Sequence, residues 1–222
     1  MNGMRLNLEQ RVQSLAIDPR NPNVLYAGVG GFGTGTLYKS IDGAESWVDL
    51  EQGNHALFDG VVSLAIDPSN TNIVYAGTDM NGRLLKSTDG GQTWNETGLG
   101  ATARVIDLVA IFPHANNIIY AGVRFKGFFH SIDGGASWSR LESNFPDTTF
   151  STRALLFDPT DSQIMYVTIL REVHKSVNSG KSWAKLSNDA QKNTLQVLEI
   201  DLSGSSVYGT SLQNGIHVFR VR

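Results

Sequence analysis

Three aspartates, Asp42, Asp89 and Asp133, invite a catalytic reading. Glycoside hydrolysis uses carboxylates in pairs, about 5–10 Å apart, one as acid and the other as base or nucleophile. These three, however, belong to one repeated eight-residue phrase. It reads SIDGAESW at 40–47 and returns at 87–94, 131–138 and 176–183, where Asn178 stands in place of the aspartate. The tryptophans that close it, Trp47, Trp94, Trp138 and Trp183, are 47, 44 and 45 residues apart and are all the tryptophans of the chain. Equivalent positions in a repeat array are spread along it and do not converge. The spacing therefore assigns Asp42, Asp89 and Asp133 to turns, and no catalytic residue is assigned. One carboxylate per turn is also too few ligands for calcium.

Other candidate chemistry is thinner. GVGGFG at 28–33 matches G-x-G-x-x-G, but a dinucleotide site needs a helix next. Strand-like TLYK at 36–39 follows instead. His55, His114, His130, His174 and His217 show no paired metal-ligand spacing, so neither a metal nor a cofactor is expected. The chain has no cysteine, which removes thiolate chemistry and disulfides. With 18 basic and 21 acidic residues, net charge −3 and no basic run, a nucleic-acid partner is not expected. No apolar stretch approaches the ~18 residues of a membrane-spanning helix. The start, MNGMRLNLEQ, lacks the apolar core of a signal peptide, and the compartment stays unassigned. Asn95-Glu96-Thr97 is a glycosylation sequon, meaningful in a secreted eukaryotic context.

The phrase sits inside a longer unit. An apolar run ending in a turn comes first: SLAIDP at 14–19 and 63–68, LVAIFP at 108–113 and ALLFDP at 154–159. A second run carries Tyr26, Tyr75, Tyr120 or Tyr166, a third follows, and then the phrase. Short β-type runs separated by Gly, Pro, Asn and Asp make an all-β chain of four-stranded antiparallel units. Proline presets the turn after strand one, and the aspartate before it bonds forward to the backbone. The phrase joins strands three and four. Its fifth position, Gly91, Gly135 or Gly180, supplies positive φ, and its tryptophan is expected to open the fourth strand. A helical turn is expected only over 187–193.

A fifth unit begins at Leu195, with runs at 195–201, 207–210 and 215–219, and lacks a fourth strand. RLNLEQ at 5–10 aligns with WVDLEQ at 47–52. One domain over 1–222 is therefore expected, with five blades at 11–52, 60–99, 104–143, 152–187 and 194–222, the last completed by 4–10. Such closure hides sheet edges and gives a monomer. A fragment of a larger propeller is the alternative.

The phrase resembles the Asp-box, or BNR repeat, S-x-D-x-G-x-[ST]-W. The wider unit is similar to the propellers of xyloglucanases, sortilin-type receptors and photosystem II assembly factors. The resemblance covers essentially the whole chain. It departs at Ala44, where glycine is usual, and at Asn178, and both residues can keep the turn. It implies a β-propeller and does not fix an activity, since function lives in the site.

Contacts with a partner are then expected from loops on one face, between strands four and one and between strands two and three. These carry Arg104, Arg124, Phe125, Phe145, Phe150 and Arg171, the aromatic and guanidinium groups that sugar or peptide recognition uses. Several phenylalanines can instead pack beneath their own loops. One first-strand position, otherwise surrounded by apolar residues, reads Gln13, Val62, Asp107, Arg153 and Gln196. Asp107 and Arg153 can pair across adjacent blades, first as a structural pair and second as a ligand-binding one. The expectation is a noncatalytic recognition or scaffold propeller for a glycan or protein segment. A glycosidase domain or remnant and a ligand-free evolved or designed scaffold are the alternatives.

Overall fold

The computed structural model describes residues 4, 10–31, 34–51, 58–100, 104–141, 151–169, 172–186, 195–201, 203–211 and 215–221. All regular structure among them is β. The first sheet holds β1 (Arg11–Ile17), β2 (Leu25–Gly31), β3 (Thr34–Ser40) and β4 (Val48–Asp49). The second holds β5 (Val61–Ile66), β6 (Val74–Thr78), β7 (Leu84–Ser87) and β8 (Asn95–Glu96). The third holds β9 (Ile106–Ile111), β10 (Ile119–Val123), β11 (Gly127–Ser131) and β12 (Ser139–Arg140), the fourth β13 (Thr152–Phe157), β14 (Met165–Ile169), β15 (Glu172–Ser176) and β16 (Ala184–Lys185). The fifth has β17 (Leu195–Ile200), β18 (Ser206–Ser211) and β19 (Gly215–Arg220). Each sheet runs in simple sequence order, and every register recorded between neighbouring strands is antiparallel. The four-stranded units are those expected. Of the segment 4–10 that was to complete the fifth, only Met4 and Gln10 are described, and the turn expected over 187–193 lies outside the described residues.

The fourth strand differs from expectation. It is a two-residue stub that starts one residue after each tryptophan. The indole does not join the ladder. Trp94 and Trp138 instead donate Nε1–H back to the carbonyls of Gly91 and Gly135, each at 3.1 Å.

The chain divides into two compact units, residues 1–123 with 130–139 and residues 124–129 with 140–222. Within the first, neighbouring sheets meet through a repeated set of contacts. Tyr26 of β2 donates its hydroxyl to the Gly90 carbonyl in the next sheet's phrase at 2.9 Å, and Lys39 of β3 donates to the same oxygen at 2.7 Å. Tyr75 and Lys86 do the same to the Gly134 carbonyl, at 2.9 and 2.7 Å. Each ammonium also lies over its tyrosine ring, 5.2 Å from the centroid for Lys39 and 5.4 Å for Lys86. Around this polar latch Tyr26 and Leu37 pack with Phe58, Val61, Val74, Ala76 and Leu85. Burial raises the Tyr26 hydroxyl to about 12, with the Asp18 and Asp89 charges adding to it, so it stays a neutral donor.

Glycines of β2 and β3 make room for the next sheet. A Cβ on Gly28 would lie 2.4 Å from the Val61 carbonyl oxygen, and one on Gly35 would lie 2.4 Å from the Gly60 Cα. Gly28 and Gly35 thus let the next sheet's backbone approach, and β3 begins at Thr34, where a dinucleotide site would need a helix.

In the second unit Tyr166, Val173 and Val207 form the buried cluster, with Ile200, Phe219 and Val221 against it. Lys175 lies 5.6 Å from the Tyr166 ring centroid.

Candidate functional site

The repeated phrase has one hydrogen-bond pattern. Ser40 donates to Asp42 Oδ1 at 2.8 Å and accepts from the Ala44 N–H at 2.9 Å. Asp42 Oδ1 accepts the Ser46 N–H at 2.9 Å, and Oδ2 accepts the Ser46 hydroxyl at 2.5 Å. Asp89 and Asp133 repeat this with Thr93 and Ser137. These bonds, led by the one from the Ser46, Thr93 or Ser137 hydroxyl, hold all three carboxyls at about 2. An acid that strong carries no proton to give near neutrality, and both its oxygens are engaged by its own turn. Asn178 shows the same role without charge. Its Oδ1 accepts the Ser182 N–H at 2.9 Å, and its Nδ2 donates to the Ser182 hydroxyl at 2.8 Å. The fourth and fifth positions both take positive φ, and Ala44 does so at 75°.

The variable first-strand position has a structural cause. In β1, Val12 faces Val29 and Ser14 faces Gly28, so Gln13 is an extra residue without a partner position. The same shift leaves Val62 between Val61 and Ser63 and Gln196 between Leu195 and Val197. It also leaves Asp107 between Ile106, facing Val123, and Leu108, facing Gly122. In β13 the irregularity spans Arg153 and Ala154. Each first strand therefore carries a β-bulge or like irregularity in its backbone register at this place. The backbone device is constant while the residue on it varies. Asp107 is half-buried at its bulge, and Arg104 is exposed just before β9. The Arg153 side chain lies outside the described residues, and so does the expected Asp107–Arg153 pair.

The hairpins between second and third strands differ more. In the first unit Asp79, Met80, Asn81 and Gly82 form a turn in which the Asn81 N–H bonds Asp59 Oδ2 at 2.7 Å. Met80 is exposed at its tip. In the second unit Arg124, Phe125 and Lys126 connect β10 to β11. Phe125 adopts φ 61° and is 48 % exposed. A bulky residue in the left-handed region is uncommon, and this one gains no burial for it. Phe145, Phe150 and Arg171 lie outside the described residues. Phe58, also on an expected contact loop, is fully buried, edge-on to Trp94 with centroids 5.5 Å apart. It packs beneath its loop. His130 and His174 are half-buried strand residues, His130 stacked on Tyr120. Burial lowers His174. Among the described residues no group of three or more His, Asp or Glu is placed to hold a metal ion.

Residues 82–214 match the family model described as Sortilin-Vps10, "Sortilin, neurotensin receptor 3". The chain belongs to the Sortilin-Vps10 family. Other similarities place this Sortilin-Vps10 chain among β-propellers. It is 39 % identical over 74 residues to the xyloglucanase Xgh74A of Acetivibrio thermocellus, a match covering 30 % of the chain and 9 % of that enzyme. The chain thus spans under a tenth of the length of that curated relative. An ancestral GH74 enzyme superposes with TM-score 0.75 at 21 % identity, covering 100 % of this chain and 31 % of that one. A structure of YCF48 bound to a D1 peptide superposes with TM-score 0.65 at 14 % identity, covering 98 % of this chain and 70 % of that one. At these identities the two structures establish the fold alone.

Proposed function

We propose that this chain is a noncatalytic recognition propeller that binds a glycan or a protein segment. The observation that carries the reading is the bulge in every first strand. In the first unit the irregularity falls at Gln13, Val62 and Asp107, so one backbone device carries three different residues. The candidate binding residues are Asp107 and Arg104 in the first unit and, taken separately, Arg124 and Phe125 in the second; Phe145, Phe150, Arg153 and Arg171 are proposed from the sequence alone. The relatives supply the ligand classes: one is named a xyloglucanase and another was solved with a peptide. A noncatalytic role is favoured because Asp42, Asp89 and Asp133 are committed to their own turns.

Thermal-shift and calorimetric titrations with xyloglucan oligosaccharides and with an extended peptide test the reading. Binding raises the melting temperature in proportion to ligand excess. Asp107→Ala and Phe125→Ala weaken it by about tenfold or more while leaving the melting temperature of the free protein nearly unchanged. Release of reducing sugar by the unmodified protein would establish the glycosidase alternative instead.

A further inference from the structure

The turn between β6 and β7 contains an asparagine followed by glycine. Of the Asn-Gly pairs at 2–3, 81–82 and 214–215, the one at 81–82 lies wholly within the described residues. In such a pair the glycine amide nitrogen, with no side chain to hinder it, can attack the asparagine side-chain carbon. Asn81 is exposed, and its side chain makes no hydrogen bond to a described residue. Asn178, in the fourth box, is the contrast. Its Oδ1 accepts the Ser182 N–H, its Nδ2 donates to the Ser182 hydroxyl, and the next nitrogen, that of Ser179, donates to the Gln163 carbonyl at 2.9 Å. At Asn81 the restraint falls on backbone N–H groups. Gly82 is buried and donates its N–H to the Asp79 carbonyl at 2.9 Å. Two more bonds tie the turn to the segment before β5, from the Asp79 N–H to the Gly60 carbonyl at 2.8 Å and from the Asn81 N–H to Asp59 Oδ2 at 2.7 Å. The second has a carboxylate acceptor and is the stronger.

We propose that Asn81 is a site of slow self-modification to aspartate and isoaspartate, and that Asp59 sets its rate. The Gly82 nitrogen gives its proton to solvent base and bonds to the Asn81 Cγ. The Cγ–Nδ2 bond breaks, and the amide nitrogen takes up protons and leaves as ammonia. Water then opens the five-membered imide. Cleavage of the new bond gives aspartate. Cleavage of the original peptide bond gives isoaspartate, in which the backbone runs through the side chain and gains a methylene. Water is the only co-reactant. The nitrogen cannot attack while it is buried and bonded to Asp79, so the reaction waits on opening of the hairpin, and breaking the Asp59 bond is part of that opening. Either product adds a negative charge to a turn that already borders Asp59 and Asp79. Isoaspartate also lengthens the backbone between the bonds that close the hairpin, from the Thr78 N–H to the Arg83 carbonyl and from the Arg83 N–H to the Thr78 hydroxyl, each 2.9 Å. The proposal does not depend on the ligand-binding reading.

The test follows the full chain through prolonged incubation in mildly alkaline buffer. Digestion with peptide fragmentation reads the amide-to-acid change at each asparagine, and enzymatic methylation titrates isoaspartate. Both products accumulate at Asn81 while Asn178 stays intact. Asp59→Ala speeds conversion at Asn81 about tenfold, as expected for loss of one hydrogen bond to a carboxylate, and leaves Asn178 unchanged. Should Asp59→Ala fail to fold, Asp59→Asn, which keeps an acceptor oxygen without the charge, carries the same prediction at about threefold. A folded parent protein in which Asn81 converts no faster than Asn178 overturns the proposal. So does a folded Asp59 variant in which Asn81 converts at the parent rate.

Discussion

The sheet junctions of the first unit and that of the second solve one packing problem in two ways. In the first unit the contact is backbone to backbone. Gly28 and Gly77 leave room for Val61 and Ile106, and serines complete the seam. The Ser14 hydroxyl donates to the Val61 carbonyl at 3.0 Å, and the Val109 N–H donates to the Ser63 hydroxyl at 2.7 Å. In the second unit Thr168 holds the glycine position and Ala154 the serine position. The threonine hydroxyl turns into its own sheet, accepting the Ala154 N–H at 3.1 Å. Tyrosine and lysine persist there, but the Lys175 ammonium reaches the Val221 carbonyl, at 3.5 Å, rather than an Asp-box carbonyl. The latch is therefore a property of the box. Where the next repeat carries one, glycine, serine, tyrosine and lysine form a tight set.

The largest effect that tests this contrast comes from filling the glycine. Gly28→Ala places a Cβ 2.2 Å from Ser14 Oγ and 2.4 Å from the Val61 oxygen, and denaturant unfolding should show a loss of about 3 kcal/mol. Thr168→Gly removes one buried side chain and one hydrogen bond, so its expected loss is smaller, about 1–2 kcal/mol. If the two substitutions cost the same, the junctions are not different in kind. Next comes Tyr75→Phe, which deletes a hydroxyl bond but leaves Lys86 on the Gly134 carbonyl; about 1 kcal/mol is expected by the same measurement. Ala44→Gly acts in the other direction. It relieves a positive-φ alanine and should stabilise the protein by about 0.5–1 kcal/mol. Alkaline titration probes the same latch by pH. The Tyr26 hydroxyl is raised in the folded state, so its contribution is complete below about pH 10 and is lost as pH rises through about 12. Tyr26→Phe should flatten stability between those values, and an unchanged slope would exclude the buried hydroxyl as its source.

Much of the fold was legible because repetition reports register. Every Asp-Pro turn behaves as its residues imply, with Asp18, Asp67 and Asp158 bonding forward to the N–H groups two and three residues on. Asn178 keeps the box for the reason its chemistry suggests. The latch was missed although its signal was present. Tyr26, Tyr75 and Tyr166 each follow the turn proline at the same distance, and Lys39, Lys86 and Lys175 each precede the box serine, but their partner is a backbone carbonyl in another repeat, and carbonyls leave no mark in a sequence. The candidate site was legible only as variation. Aligned repeats marked Gln13, Val62 and Asp107 as odd, and the bulge that makes them so is a register shift visible only once β1, β5 and β9 are paired. Phe58 and Phe125 looked alike as loop phenylalanines. One is buried against Trp94 and the other is held out by a left-handed turn, a difference of backbone rather than of residue type.

The central claim is that the Asp-box aspartates serve the fold and not catalysis or binding. Their folded-state values of about 2 lie below the unfolded value of 3.8, so the stability they contribute is present above about pH 4 and is lost as pH falls through 2. The most direct measurement is acid unfolding of an Asp42→Asn/Asp89→Asn/Asp133→Asn protein, followed by tryptophan fluorescence and paired with ligand titration at pH 7. The account predicts a folded protein with unchanged ligand affinity and a shallower loss of stability between pH 4 and pH 2. A folded triple variant that no longer binds, or an unmodified protein whose hydrolytic activity disappears with these three carboxylates, would contradict it.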